Sequence, residues 1–585
     1  MFVILNKIKS FIKVLCITVG AVTLISLIGL LVFGIINRYP KPVEKNSFLT
    51  IDFNKPFNES DNTGILTELT DEKPISFFKM LQAVEFAAND DDINGIIVKI
   101  NNINLEPAQL QDVARTIVKF NSTGKKTVVF SQGFGNLGQG SSEYYLASFF
   151  KQIYMQPHTY IGLTGISIEI PFLKNLLNKI GVSPEFYSRY EYKNAMASLT
   201  DSKISKAYAE EMNNLGGSLM GELKLDISAN RKLKDSFENI INKAPLTADD
   251  GLKLGLIDGI MYMSQLEDKL KKEDGAEHFI NISDYAAGLY SNSGDLPTIA
   301  MLNLTGEIID DDNKNNIRQN NVINSQNVIE DINEIKKLPN LKAVVVRINS
   351  PGGSYNAADE IYFALKQLKE TAKVPVVVSQ SAYAASGGYF ISLAGDYIFA
   401  EPMTITGSIG VLGGKIVFSE LWKKLGINWN RLNFGDNAGI LSPNRHFNDS
   451  EKKIFNKSLD DVYDDFTAKV AENRKITQPM DKIARGRVWT GRQALVLGLI
   501  DEFGGSSEAI IKAMELGKID KNQNIIITSY PKAKSFGEKL SDLIADTGSI
   551  SAEQLIEQSG VDITNLKLFK RLQYDTVMLP IKINM

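Results

Sequence analysis

The feature that most constrains this chain is an internal duplication. "GIIVKINN" (95–102) is matched by "AVVVRINS" (343–350), and "TVVFSQ" (127–132) by "PVVVSQ" (375–380), both 248 positions apart. "LTADDGLKLGLIDG" (246–259) is matched by "WTGRQALVLGLIDE" (489–502), 243 positions apart. Three blocks in one order at a nearly constant offset mean two copies of one domain. They divide a chain of 585 residues, too long for one ordinary core, into repeats spanning 46–290 and 296–515. "YSNSGDLPT", rich in turn formers, suits the linker between them. Residues 516–585 form a C-terminal extension to which the sequence gives no role.

Each copy reads as α/β. "AVVVRIN" and "VPVVVSQ" are short β-branched runs, as expected of strands buried on both faces. Between them "NAADEIYFALKQLKE" puts Ile361, Ala364, Leu365 and Leu368 on one helical face. Strand, helix and strand then make a right-handed crossover with a parallel sheet. In such sheets the chemistry gathers at loops leaving the carboxyl ends of the strands. Two loops of the second copy fit, "NSPGGS" and "SAYAASGG".

The copies diverge at those loops. Gly352 and Gly353 of "SPGG" can turn backbone N–H groups toward a developing oxyanion, whereas "NINLEP" in the first copy has no glycine. Ser386 in "AASGGYFIS" falls opposite Ser141 in "GSSEYYLAS", but the two glycines that follow it are replaced by Ser142 and Glu143. A lone Pro-Gly-Gly is ordinarily a turn. Paired with Ser-Gly-Gly in one crossover unit it marks a site, and only the second copy can hold an acyl-transfer nucleophile with its oxyanion hole.

A serine nucleophile usually needs a histidine, and the chain has three: His158, His278 and His446. His446, the only one in the second copy, sits in the polar stretch "SPNRHFND" and reads as a surface residue; His158, after Pro157, reads as structural. No His/Asp/Glu spacing resembles a metal site and no phosphate loop appears, so neither metal nor cofactor is expected. A net charge of −4 supplies no basic field for nucleic acid. The single cysteine, Cys16, excludes an intrachain disulfide. It lies in "VLCITVGAVTLISLIGLLVFGII" (14–36), 23 residues without a charge, long enough to cross a bilayer and too long for a cleavable signal. An uncleaved anchor within residues 1–45 is therefore expected. Lys7, Lys9 and Lys13 before it are balanced by Arg38, Lys41 and Lys45 after it, so the flanks do not orient it.

"INSPGGS", "AYAASGGYFIS", "TITGSIGVLGG" and "KIARGRVWTGRQALVLGLIDEFGG" together resemble the signal peptide peptidase A (protease IV) family, in its long, tandem-domain, membrane-anchored bacterial form. The resemblance covers about residues 46–515 and the anchor. It implies two tandem Clp protease/crotonase-like domains built of repeated ββα units. It also implies a Ser/Lys dyad, with Ser386 as nucleophile and Lys193, in "YEYKNAMAS" of the first copy, as general base. Lys193 aligns with Ala438 in the second copy, so the half-sites are complementary: one copy keeps the lysine and the other the Ser-Gly-Gly. A lysine serves as a base only when neutral, which requires burial to lower its proton affinity by several pKa units.

The family further implies that Ser408 of "TGSIG" orients the lysine; the first copy has Leu163 there. Gly352, Gly353 and Gly387 are the candidate oxyanion donors, and which of these amides donates stays open. The activity implied is that of a serine endopeptidase acting on remnant signal peptides and other apolar segments. The implied setting is a single-pass anchor in the bacterial cytoplasmic membrane, with the body on the extracytoplasmic side and a ring- or dome-like homo-oligomer. Whether Lys193 serves its own chain or a neighbour is open. The alternatives are a crotonase-like acyl-CoA enzyme and a catalytically silent membrane scaffold.

Overall fold

The computed structural model describes residues 43–59, 75–289, 296–310 and 322–532, and the backbone of 576–577. The expected membrane span, 14–36, lies outside the described residues. Among the described residues no helix is long and apolar enough to cross a membrane.

The duplication is visible strand by strand. The first copy forms a parallel sheet in the order Gly259–Ile260, Gln152–Met155, Lys126–Ser131, Ile93–Lys99, Ser47–Asp52, His278–Asn281. The second copy repeats that order with Glu502–Phe503, Tyr397–Ala400, Val376–Ala385, Leu341–Ser350, Thr298–Thr305 and Ile526–Tyr530, again all parallel. Its edge strand Ile526–Tyr530 comes from beyond residue 515 and takes the place that His278–Asn281 takes in the first sheet. The β-branched runs fill the centre: Val344, Val345, Val346, Val376, Val377 and Val378 are fully buried, as strands covered on both faces require. Helix Tyr355–Ala372 buries Ile361, Leu365 and Leu368, with Ala364 at the margin of that face. Ser354 caps it by accepting from the Ala357 amide.

One strand departs from this plan and positions the site. Val376–Ala385 is long enough to change partner along its length. Val377–Gln380 pair with Tyr397–Ala400, and Tyr383–Ala385 pair with Ile405–Gly407. Ile405–Gly407 in turn pairs antiparallel with Val488–Thr490. The carboxyl end of the serine strand is thereby drawn to the side of Gly407 and Ser408.

Among the described residues the contacts that join the two copies include three beside or behind the site. Strand Ser183–Ser188 of the first pairs antiparallel with Leu412–Val417 of the second. Helix Lys206–Asn230 lies on Val488–Thr490, where the Ser218 and Thr490 hydroxyls are 2.8 Å apart. Helix Pro107–Ser122 faces the second sheet through a buried ionic cluster. Arg347 donates to Asp112 at 2.7 Å, to Glu59 at 3.4 Å and to the hydroxyls of Ser379 and Ser381 at 2.8 and 3.0 Å. Oxygen atoms of Asp112, Glu401 and Glu508 lie within 4.8 Å of one another. Each of these carboxylates nevertheless has its own cation, respectively Arg347 at 2.7 Å, Arg115 at 2.7 Å and Lys119 at 2.8 Å. The compensation is incomplete for Asp112, whose carboxyl is pushed up to about 7 by burial against the opposing pull of Arg347.

Candidate active site

Ser386 sits at the sharp turn between strand Val376–Ala385 and helix Gly387–Ser392. Its backbone, at φ 58° and ψ −114°, is in a region that costs a non-glycine residue on the order of 1–3 kcal/mol. The turn is held by the Ser386 amide donating to Gly407 O at 2.8 Å. The small neighbours are explained by contact. A Cβ on Gly388 would lie 2.9 Å from Ser350 O, and one on Gly387 would lie 3.0 Å from Ile308 Cδ1 and 3.4 Å from Gly353 N. The serine turn and the Pro-Gly-Gly loop therefore touch through backbone.

That loop leaves strand Leu341–Ser350 and crosses at Gly352 (φ 111°) and Gly353 (φ 153°), both in the range that favours glycine. A Cβ on Gly353 would come within 1.9 Å of Ile308 O. The Gly352 amide donates to Ser350 Oγ at 3.2 Å, while its carbonyl accepts from Ile308 N at 2.9 Å. The backbone of Thr576–Val577 pairs antiparallel with Gly353–Ser354, so an extended chain lies along this edge.

Lys193 arrives from the first copy, just after strand Ser183–Ser188 has crossed onto the second. Its Nζ lies 2.5 Å from Ser386 Oγ, 2.9 Å from Ser408 O and 3.0 Å from Ser408 Oγ, all within one chain. A neutral amine has two hydrogens and one lone pair. With the two hydrogens of the neutral form on the Ser408 oxygens, the lone pair is left for the Ser386 hydroxyl, whose Oγ also lies 3.2 Å from Ser408 O. Ser408 Oγ donates to Gly486 O at 3.4 Å, so it is free to accept from the lysine. Burial brings the Lys193 ammonium down to about 7, with the Glu211 carboxylate pulling the other way. The apolar part of "YKNAMAS" packs inward at Ala195 and Met196. Glu191 is turned outward into an ion pair with Arg485 at 2.8 Å.

The structure thus brings Ser386, Lys193, Ser408 and the three glycines together. It leaves the histidines elsewhere: His446 is exposed, 3.1 Å from Glu185, His158 is also exposed, and His278 is half-buried, 3.2 Å from Glu44. Two further residues belong to the site. Gly486 (φ 85°) lets two chain segments meet, since a Cβ there would fall 2.5 Å from Lys193 N and 2.7 Å from its Cα. Glu211 is buried on helix Lys206–Asn230 beside the lysine. Its signal in the sequence is a carboxylate on the helical face made by Tyr208, Met212, Leu215 and Leu219.

Comparison with known proteins fits this arrangement. The model of peptidase family S49 matches residues 119–277 and 368–520, one segment in each copy, and that of Clp protease matches 309–404. Protease 4 of Haemophilus influenzae is 29% identical over 535 residues, covering 87% of this chain and 84% of that protein. Protease 4 of Salmonella typhi is 30% identical over 460 residues, 76% of this chain and 72% of that one. The chloroplastic serine protease SPPA of Arabidopsis thaliana is 29% identical over 477 residues, 79% of this chain and 68% of that one. A mixed α/β fold of the Clp protease kind, carrying a serine in a backbone-lined turn, defines the class as serine peptidase. The chain belongs to peptidase family S49.

Proposed function

We propose that this serine peptidase works through a Lys193–Ser386 dyad assembled from both copies. Lys193 takes the Ser386 proton as Oγ attacks a peptide carbonyl. The oxyanion rests on amides of the glycine-lined turn, among which Gly353 and Gly387 are favoured because the Gly352 amide is engaged by Ser350 Oγ. Lys193 then returns the proton to the leaving amine and activates the water that hydrolyses the acyl-enzyme. Ser408 accepts the hydrogens of the neutral amine and so turns its lone pair toward Ser386 Oγ. The observation that carries this reading is the 2.5 Å contact between Nζ and Oγ inside a buried site free of histidine.

The substrate is an extended peptide, laid antiparallel to Gly353–Ser354 as the backbone of Thr576–Val577 is. A cavity of about 350 Å3 beside Lys193 is lined by Phe186, Tyr187, Met196 and Leu412 together with the polar Asn194, Thr200 and Asp201, room for a substrate side chain. Remnant signal peptides are the substrate we propose, and a relative from Enterococcus faecium carries the name putative signal peptide peptidase SppA. Residues 14–36 would anchor the enzyme in the cytoplasmic membrane, within reach of such peptides, with the body outside. The repeats 46–290 and 296–515 are taken as the domain organisation, with strand Ile526–Tyr530 of the extension completing the second sheet. A homo-oligomer accounts for the exposure of Trp429, Leu432 and Phe434, at 59, 86 and 94%.

The test uses the full chain in detergent and a labelled apolar peptide. Ser386→Ala and Lys193→Ala are each expected to lower kcat by about 10³-fold or more. In the unaltered enzyme kcat/KM should climb through pH 7 and level off above it, since the base acts only after losing its proton. Near-normal turnover in Lys193→Ala would remove the lysine from the mechanism.

A further inference from the structure

Among the described residues Glu211 is the one carboxylate buried beside the lysine, and one of its oxygens reaches across the junction of the copies while the other holds the lysine loop. Oε1 accepts from the Val488 amide at 2.8 Å, and Oε2 from Asn194 Nδ2 at 3.1 Å. Asn194 follows Lys193 directly, and its side chain also donates to Tyr192 O at 3.1 Å. Val488 belongs to the strand paired with Ile405–Gly407, and its neighbour Arg487 accepts from the Ser408 amide at 2.8 Å. One carboxylate therefore holds the lysine loop of the first copy and the strand that positions Ser408 in the second. We infer that Glu211 is a positioning residue that registers Lys193 against Ser408 and Ser386.

A carboxylate is an expensive means of making two hydrogen bonds in a buried place. Glu211 is only 4% exposed, and burial pushes it up to about 7. Its charge also acts on the amine, favouring the protonated lysine against the burial that favours the neutral one. The other ionisable groups around it are few. From the lysine loop come Lys193 and Tyr192, whose hydroxyl donates to Glu210 at 3.2 Å. From the strand side comes Arg487, which stacks 3.7 Å from the Tyr192 ring and lies 3.5 Å from Glu210. Tyr208 and Glu210 stand on its own helix. Of these, Arg487 also spans the junction, stacking on Tyr192 while its carbonyl accepts from the Ser408 amide; Glu211 spans it with a buried carboxylate that bonds the residue next to Lys193.

This inference rests on the dyad reading, and its test separates the two. In Glu211→Gln the side chain keeps its shape, loses its charge, and presents an amide to a donor on one side. We expect kcat to fall about tenfold at pH 8 with KM within twofold. We also expect the acid limb of kcat/KM to move to lower pH by about half a unit or more, because the anion that favoured the ammonium is gone. A purely structural role would lower activity equally at every pH and leave the limb in place, and that result overturns the inference. If Glu211→Gln does not fold, Asn194→Ala decides: it leaves the carboxylate and removes its hold on the loop, and an unchanged kcat overturns the proposal while a severalfold fall at constant KM supports it. Lys193→Ala run alongside reports on the dyad itself. If that variant keeps activity the dyad fails; if it is inactive and Glu211→Gln matches the unaltered enzyme across pH, only the Glu211 inference fails.

Discussion

Ser141 and Ser386 occupy the same place in two copies of one fold, each opening a short helix after a central strand, yet they live in opposite circumstances. The Ser141 hydroxyl is closed into a pair of 3.0 Å contacts with the amide and carbonyl of Gly165. Ser386 is held in a strained turn and its hydroxyl meets a lysine amine. The residues that follow differ in a matching way. Glu143 reaches into the space beneath the "NINLEP" loop and accepts from the Ile103 amide at 3.2 Å. Its counterpart Gly388 has no side chain, and the Pro-Gly-Gly loop comes down against the serine turn instead. Duplication supplied two equivalent sites, and the packing beneath one loop decides which of them can present an oxyanion hole.

The most severe way to break that contrast is to give the second copy the first copy's residue. Gly388→Glu would set a Cβ 2.9 Å from Ser350 O and drive a carboxylate into the contact between serine turn and glycine loop. We expect peptidase activity to fall by 10³-fold or more. Gly388→Ala should lose less, because it adds the Cβ without the charge. Substantial activity in Gly388→Glu, read with the labelled peptide, would mean that the turn and the loop need not touch.

The second contrast lies between Lys99 and Arg347, the same position in the two "VKI/VRI" strands. Lys99 is exposed, whereas Arg347 is 2% exposed and serves Asp112, Glu59, Ser379 and Ser381. Arg347→Met fills similar volume but strips the buried carboxylates of their cation, which typically costs about 3–5 kcal/mol. The expected readout is a fall in melting temperature with loss of activity in proportion to unfolding, since Arg347 lies at the junction of the copies rather than beside Ser386. A melting temperature within a degree of the parent would show that the ionic cluster contributes nothing net to joining them.

The pattern of legibility in the sequence follows from the range of the interactions. The valine runs and the helix between them are local, so strands and helix fall where periodicity puts them. Ser386 and its glycines are legible because a catalytic turn and its loop leave small residues side by side in the chain. Lys193 was reached through resemblance and through the complementary loss in the second copy; its own neighbours would suit a surface lysine equally well. Gly486 and Glu211 were missed because their reasons are long-range. Gly486 is small to admit the Lys193 backbone, and Glu211 is buried to bind Asn194 and Val488. The strand Ile526–Tyr530 was missed for a simpler reason: the matched motifs end at "LGLIDE", although "NIIITSY" carries the β-branched run of an edge strand.

The smallest effect, and the sharpest on the comparison, concerns Glu143. Its Oε1 is bonded to Ile103 N, but Oε2 is buried without a hydrogen-bond partner among the described residues, and burial raises the carboxyl above its usual range. A carboxyl whose folded-state proton affinity is raised penalises the fold once the unfolded chain ionises, above about pH 4.5, and the penalty is relieved as pH falls. Glu143→Gln keeps the acceptor for Ile103 and removes the charge. It should therefore raise stability at pH 8 by about 1 kcal/mol, with the gain vanishing near pH 4, and leave peptidase activity unchanged. Thermal melts at the two pH values read the difference. If the variant instead melts lower at pH 8, the Glu143 carboxylate is satisfied by a group that also holds the first copy's loop in place. The silent site would then be kept by a favourable interaction, and the loss of its glycines would have been stabilising in itself rather than merely tolerated.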